Sequence, residues 1–379
     1  MMRVLRAALL FAFAISIGVW IGRGAAPTLA PEAQWSAAGS LLEARNYPRV
    51  VALPTGELLV TGGVDPGSAD IARSTTELFD PGTGRSTLVP GIQPGRVNQT
   101  ATLAWGDRVV VAGGTEFYDG SWHAMARVDV YLPYARRWLQ GAPMAAPRAD
   151  HAAAALTDGR VLVAGGENGA FIYSGAQLYD PATDRWTAAA PMPRPRTQFL
   201  MTTLPNGRVL AIGGLESRGD VSRTSLLYDP LADRWSEGPS LAYPRVLSAL
   251  ATLPNGDALV IGGQQGASGT AERYDWRAER FVYAGLLMKP RFAATAAALL
   301  DGSVALVGGL PDSALRRGFN PTAVTELWDR ASNTWRVIDG LANPRALGTL
   351  VVRDGFAYLI GAALDDERAD GSVQRLGSP

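Results

Sequence analysis

The sequence predicts an all-β fold, a seven-bladed β-propeller, and three observations carry that prediction. A glycine pair recurs at Gly62-Gly63, Gly113-Gly114, Gly165-Gly166, Gly213-Gly214, Gly262-Gly263 and Gly308-Gly309, and weakens to Gly361-Ala362. Successive steps are 51, 52, 48, 49, 46 and 53 residues, a period that marks propeller blades and not a helical solenoid. Beyond residue 22 no stretch shows the 3.6-residue period of a long amphipathic helix.

The stretch 147–186, PRADHAAAALTDGRVLVAGGENGAFIYSGAQLYDPATDRW, shows how one unit folds. A short apolar run, 152–156, is followed by Asp158-Gly159, a hairpin signal whose two residues are both expected at positive φ. Val161 to Ala164 is continuously apolar, as in a strand covered on both faces. Gly165-Gly166 then supplies backbone freedom where another segment approaches closely. A polar loop leads to a third strand over 176–179, Asp180-Pro181 turns the chain, and Trp186 anchors a fourth strand.

Across the units the later aromatic positions are Phe79-Asp80, Tyr131, Tyr179 with Trp186, Tyr228 with Trp235, Tyr274 with Phe281, and Trp328 with Trp335. Together with the glycine pairs, these positions resemble the kelch repeat family over nearly everything from Trp35 onward. The resemblance implies a kelch-type propeller. It implies little about activity, because the architecture serves enzymes, adaptors and sugar binders alike. Arg85-Ser86 replaces the Trp position in the first unit, and the second has Leu132 for the turn Asp and Gly106-Asp107 in reversed order. Weaker turns are expected there, not another fold.

The ends complete one another. Gln34-Trp35-Ser36-Ala37-Ala38 matches the fourth strand of a unit, Arg185 to Ala189, with no first three strands before it. The seventh unit has Pro344-Arg345, Asp354-Gly355, a strand from Phe356 to Ile360 and Gln374-Arg375-Leu376, but no Trp strand. The amino-terminal strand is therefore expected to close the last blade and remove the ring's open edges. The organisation read from this is a signal peptide or signal anchor over 1–23, a linker over 24–33 and the propeller over 34–379.

Arg3 and Arg6 precede an apolar run from Ala7 to Ile21, as in a secretory signal, and the run is short for a spanning helix. Pro27 and Pro31 follow the candidate cleavage points, which leaves cleaved secretion and an uncleaved anchor both open. Either way the propeller is expected outside the cytoplasm, secreted, periplasmic or tethered, touching membrane only through this segment. With 35 basic and 35 acidic residues the chain lacks the basic excess of a nucleic-acid binder. It has no Cys, which removes disulfides and thiolate metal sites.

In a four-stranded meander the second-to-third loop and the blade-to-blade connection share one face. That face carries the long variable loops 64–75, 115–127, 167–175, 215–224, 264–270, 310–324 and 363–371, and rigid scaffolds place binding residues on such loops. The second loop is the richest, with Glu116, Tyr118, Trp122 and His123, although large aromatics often pack onto their own blade. An arginine opens each unit: Arg49, Arg96, Arg148, Arg196, Arg245, Arg291 and Arg345. A ring of guanidiniums would attract carboxylates. A residue repeated in every blade also suits a repeated structural job, pairing with Glu77, Glu272 or Glu326, and the repetition favours that reading. Asn98, Gln99, Asp150, His151 and Gln198 break the pattern and are stronger functional candidates, beside Glu167 and Glu216.

Copper-radical oxidases share the propeller fold and need a thioether-forming Cys; this chain has none, and only His123 and His151. Three-histidine metal sites fail on the same count. A Ser-His-Asp triad lacks a nucleophile elbow, and Asp150 and His151, being adjacent, point to opposite faces of a strand. His151 reads as a structural strand residue. One enzymatic alternative survives from the resemblance: some secreted bacterial kelch-like propellers resemble sialic-acid mutarotases, which use a carboxylate, an arginine and a central pocket. The reading of the sequence is thus an extracytoplasmic module that binds an envelope protein or a glycan on its loop face. It is expected to be monomeric, without cofactor and more a binder than an enzyme, the alternative being a mutarotase or epimerase acting on an acidic sugar.

Overall fold

The computed structural model describes residues 33–264, 266–311, 320–361 and 371–377. The expected signal segment and most of the expected linker lie outside the described residues, as do parts of the loops after the fifth, sixth and seventh glycine pairs. Among the described residues no helix is long and apolar enough to cross a membrane.

Seven four-stranded antiparallel sheets follow one another around a ring. In blade 3 the strands run outward from the channel as Ala152–Ala155, Val161–Ala164, Ala176–Asp180 and Arg185–Ala189. The second strand is buried along its whole length in every one of blades 3 to 6, which explains its unbroken apolar sequence. Side chains from facing sheets fill the space between blades: Leu162, Leu178, Phe199, Met201 and Tyr228 share one core between blades 3 and 4. Each such side chain contributes about 1.5–3 kcal/mol when fully buried.

The ring closes as the sequence predicts. Gln34–Ser40 pairs antiparallel with Ser372–Gly377 and becomes the outermost strand of blade 7. Trp35 Nε1 donates to Thr325 Oγ1 at 2.8 Å, tying that strand to blade 6. The repeated Trp has the same task elsewhere. Trp186, Trp235 and Trp335 each donate Nε1–H, at 2.8 Å, to a carbonyl of the preceding blade, that of Ala142, Ala190 or Ala284. Asp184 and Asp233 reinforce two of these joints, each accepting from its own blade's Tyr hydroxyl and from the preceding blade's backbone N–H.

In blades 1 and 3 to 6 the first-to-second turn departs from the expectation of paired positive-φ residues. At Asp158-Gly159 only Gly159 is left-handed, with φ 94°, and its N–H donates to Leu156 C=O at 3.1 Å. The turn is a four-residue one closed by a left-handed glycine, so Asp158 stays in ordinary backbone space and uses its carboxylate to accept from Arg160 N–H. Only in blade 7 does the two-residue form occur: Asp354 and Gly355, at φ 49° and 85°, lie between the paired Arg353 and Phe356.

Gly165 and Gly166 are both left-handed, at φ 64° and 87°. A Cβ on Gly166 would meet Ala149 O at 2.6 Å and His151 Cβ at 2.7 Å. The glycine pair is therefore where the incoming segment between blades is pressed against the second strand. Bridges Asn46↔Val64, Val97↔Thr115, Ala149↔Glu167 and Thr197↔Leu215 run beside these pairs, which puts the long loops and the blade connections on one face.

Candidate functional site

The repeated arginines are turned into the blades. Arg96, Arg148 and Arg196, candidate ligand contacts by sequence, are buried, and their guanidiniums donate to the carbonyls of Gly113, Gly165 and Gly213, each 17 residues onward. Arg245 does the same with Gly262 at 2.6 Å. Acidic residues of the third strand complete the arrangement in four blades, as Arg45–Glu77, Arg96–Asp129, Arg245–Glu272 and Arg291–Glu326 ion pairs. Blade 3 has Gln177 at that position, and there Arg148 lies 5.0 Å from the centre of the Tyr173 ring. Burial lowers the pKa of these guanidiniums, and the paired carboxylates raise it back in part. A ring of arginines at the mouth is absent because these guanidiniums are buried inside the blades, five of them on the carbonyl of their own glycine turn.

The first unit corrects the register. Its counterpart is Arg45, not Arg49: Arg45 donates to Gly62 C=O at 3.2 Å across the same 17-residue spacing. The dipeptide Pro48-Arg49 imitates Pro147-Arg148 and Pro195-Arg196, whereas the constant spacing to the glycine pair identifies Arg45. Arg49 instead begins the innermost strand of blade 1, Arg49–Ala52, and donates Nε–H to Gln99 C=O at 2.7 Å.

Two residues after each structural arginine the chain is left-handed: Tyr47, Asn98, Asp150, Gln198, Leu247, Ala293 and Leu347, with φ between 52° and 62°. These residues hand the backbone from blade to blade around the mouth. Asp150 N–H donates to Asn98 C=O at 3.2 Å and Gln198 N–H to Asp150 C=O at 3.0 Å. Across the ring Ala293 N–H donates to Leu247 C=O and Leu347 N–H to Ala293 C=O. The mouth is thus divided. Blades 2 to 4 contribute Asn98, Asp150 and Gln198, while blades 5 to 7 contribute Leu247, Ala293 and Leu347 to an apolar cluster with Phe292 and Leu310.

Asp150 is only 2% exposed and its Oδ1 has no hydrogen-bond partner. Burial pushes its pKa well above the usual carboxylate range, Glu167 pushes it further, and Arg49 opposes both. Burial also raises Glu167. Desolvation lowers Arg49 to about 10, against the pull of Asp150. Part of the Arg49 surface still reaches solvent. Spacing alone does not single out Arg49; its role depends on where blade 1 meets blade 2.

His151, next in sequence, sits between blades 2 and 3. It is buried against the glycine turns of blades 2 and 3, with Nε2 3.1 Å from Thr100 Oγ1, and burial with Arg148 and Arg49 lowers its pKa to about 3. It is a neutral structural wedge, as the sequence suggests. Gln99 fills the equivalent place between blades 1 and 2, against Gly62, so its side chain too is structural in position. Glu216 accepts from Ser222 at 2.7 Å and lies 3.6 and 3.7 Å from Arg194 and Arg196.

On the loop face, Thr115–Tyr118 and Ser121–Ala124 form a hairpin in which Glu116 pairs with His123 and Phe117 with Trp122. Trp122 packs over Val64, Val97 and Tyr47 and meets Phe117 edge-on at 5.3 Å, so it serves its own scaffold. Tyr118 is 52% exposed and stacks on His123 at 4.0 Å. Ile71 and Phe171, missed by the sequence reading, are exposed on the neighbouring loops of blades 1 and 3. Exposed apolar groups are not confined to this face: Trp105, Tyr134 and Leu231 sit on the short turns opposite.

A family model described as the Kelch motif matches residues 148–193, which is blade 3 with its incoming segment. No curated protein matches this sequence. Among solved structures, a fungal alcohol oxidase of the AA5 family, in complex with copper, superposes with a TM-score of 0.73 at 18% identity, covering 92% of this chain and 76% of that one. At that identity the likeness concerns the fold. With the motif matched in one blade and its glycine, arginine and aromatic positions rebuilt in the others, the chain is a kelch-repeat β-propeller.

Proposed function

We propose that this propeller is an extracytoplasmic binding module that recognises an envelope protein or a glycan with the loop face of blades 1 to 3. The observation that supports this is the placement of Ile71, Tyr118 and Phe171, exposed on three successive loops of one face. Tyr118 backed by His123 is a flat aromatic surface held by a hairpin, and aromatics of this kind serve as contact anchors or as sugar platforms. The apolar leader at residues 7–21 supports the extracytoplasmic address.

The copper chemistry of the structural neighbour finds no ligand set in these residues. The chain has no Cys, its two histidines serve separate structural contacts, and among the described residues no three metal-ligating side chains come together. The acidic-sugar alternative loses its arginine ring, since those guanidiniums are held inside the blades. The test is replacement of Tyr118 and Phe171 together by alanine, followed by glycan-array binding and cross-linking capture from envelope fractions. Loss of a glycan or protein signal at unchanged melting temperature supports the reading. A signal that survives the double replacement refutes it.

A further inference from the structure

We propose that the channel mouth is a second binding site, one that takes a small apolar α-amino acid as its zwitterion. Three repeated positions meet there, and each carries one charged residue among seven. Arg49 opens an innermost strand where the other blades have Thr, Ala or Leu; Asp150 is the one carboxyl among the seven left-handed residues that follow the structural arginines; Glu167 follows a glycine pair where the others are uncharged. A charge required by the scaffold would recur, as the buried arginines do. These three do not recur, so the scaffold does not need them.

Nor does the scaffold satisfy them. Asp150 Oδ1 is buried without a partner. Among the described residues Arg49 makes one hydrogen bond, through its Nε–H, and its two terminal nitrogens make none. The Glu167 backbone is locked to Ala149 by bonds of 2.8 and 2.9 Å, while its carboxylate has no hydrogen-bond partner among the described residues. Their relative placement is set by blade 2: Arg49 is fastened to Gln99 C=O and Asp150 to Asn98 C=O, consecutive carbonyls of one segment. Guanidinium and carboxyl therefore occupy adjacent levels of the mouth without forming an ion pair with each other.

A ligand that satisfies all three carries a carboxylate for Arg49 and an ammonium for Asp150 and Glu167, both as charge-assisted hydrogen bonds. The opposite arc, Leu247, Ala293 and Leu347, offers an apolar surface for its side chain. Because burial and Glu167 hold the Asp150 carboxyl above its ordinary range, seating an ammonium beside it ionises it and releases a proton.

Isothermal titration of the full chain tests this with L-leucine, 2-hydroxyisocaproate and isoamylamine, the last two lacking the ammonium and the carboxylate respectively. L-Leucine, or another member of a set comprising alanine, valine, isoleucine, methionine and phenylalanine, is expected to bind saturably. The matching hydroxy acid and amine are expected to bind at least about tenfold more weakly. Arg49→Gln is expected to weaken the amino acid at least about tenfold at unchanged melting temperature, and Asp150→Asn to weaken it equally while raising the melting temperature. Two results overturn the proposal: no saturable binding by any of these amino acids, or a hydroxy acid that binds as tightly as its amino acid.

Discussion

Arg45 and Glu77 form an ion pair at 2.9 Å in which both side chains are wholly buried. Glu77 also accepts from the backbone N–H groups of Leu42 and Glu43, so the pair joins the incoming segment to the third strand of blade 1. Removing one partner strands the other charge in the interior. Arg45→Ala is expected to cost about 3–5 kcal/mol in urea unfolding. Arg49→Ala, four residues on, is expected to change stability by no more than about 1 kcal/mol, because its guanidinium makes one backbone bond. Equal losses from the two would show that Arg45 is not the structural arginine of the first blade.

Trp335 is buried and its Nε1–H reaches across to Ala284 C=O. Trp335→Phe keeps most of the packing and loses one hydrogen bond, an expected cost of about 1 kcal/mol plus that of the unpaired carbonyl. Trp335→Ala adds a cavity between blades 5 and 6, for about 3–5 kcal/mol. Denaturant midpoints at constant m-value distinguish these, and a neutral Trp335→Ala would mean the blades are not joined there.

His151 stays neutral in the fold, with its pKa lowered to about 3 against an ordinary value near 6.5. Between those limits the unfolded chain binds a proton that the folded chain refuses. Stability supported by neutral His151 is therefore present above pH 6.5 and declines as pH falls toward 3, by up to about 1.4 kcal/mol per pH unit. His151→Gln should flatten this part of the profile. Thermal melts from pH 7 to pH 4 on both proteins measure the difference, and identical slopes would contradict a buried neutral imidazole.

Asp150 works with the opposite sign. Its folded pKa is raised, so the folded chain keeps a proton that the unfolded chain loses above about pH 3.9. Its contribution is best at low pH and falls as pH rises through the folded pKa. Asp150→Asn removes the penalty and should raise the melting temperature most at pH 8; a lower melting temperature at pH 8 would show that the carboxylate is a needed structural charge.

Deleting 31–41 removes the outermost strand of blade 7, including the Trp35 bond to Thr325. The edge of Ser372–Gly377 is then open, and loss of solubility or of a cooperative melt is expected. An unchanged transition would mean that closure adds nothing.

By itself the sequence determined the repeat, the blade number and the closure of the ring. These follow from local patterns: a glycine pair after an apolar run, an aromatic third strand, and a terminal fragment whose residues match the strand missing at the other end. It also carried the structural reading of the arginines, since a residue that recurs in every blade answers a need of every blade. The tertiary structure showed which arginine belongs to the pattern in blade 1: Pro48-Arg49 copies the dipeptide, while Arg45, at the shared 17-residue spacing, makes the contact. It alone brought Arg49 to the level of Asp150 and Glu167, about a hundred residues away, through consecutive carbonyls of a blade between them. Packing of successive blades around one opening creates that neighbourhood, and no local period encodes which unrepeated side chains will face it.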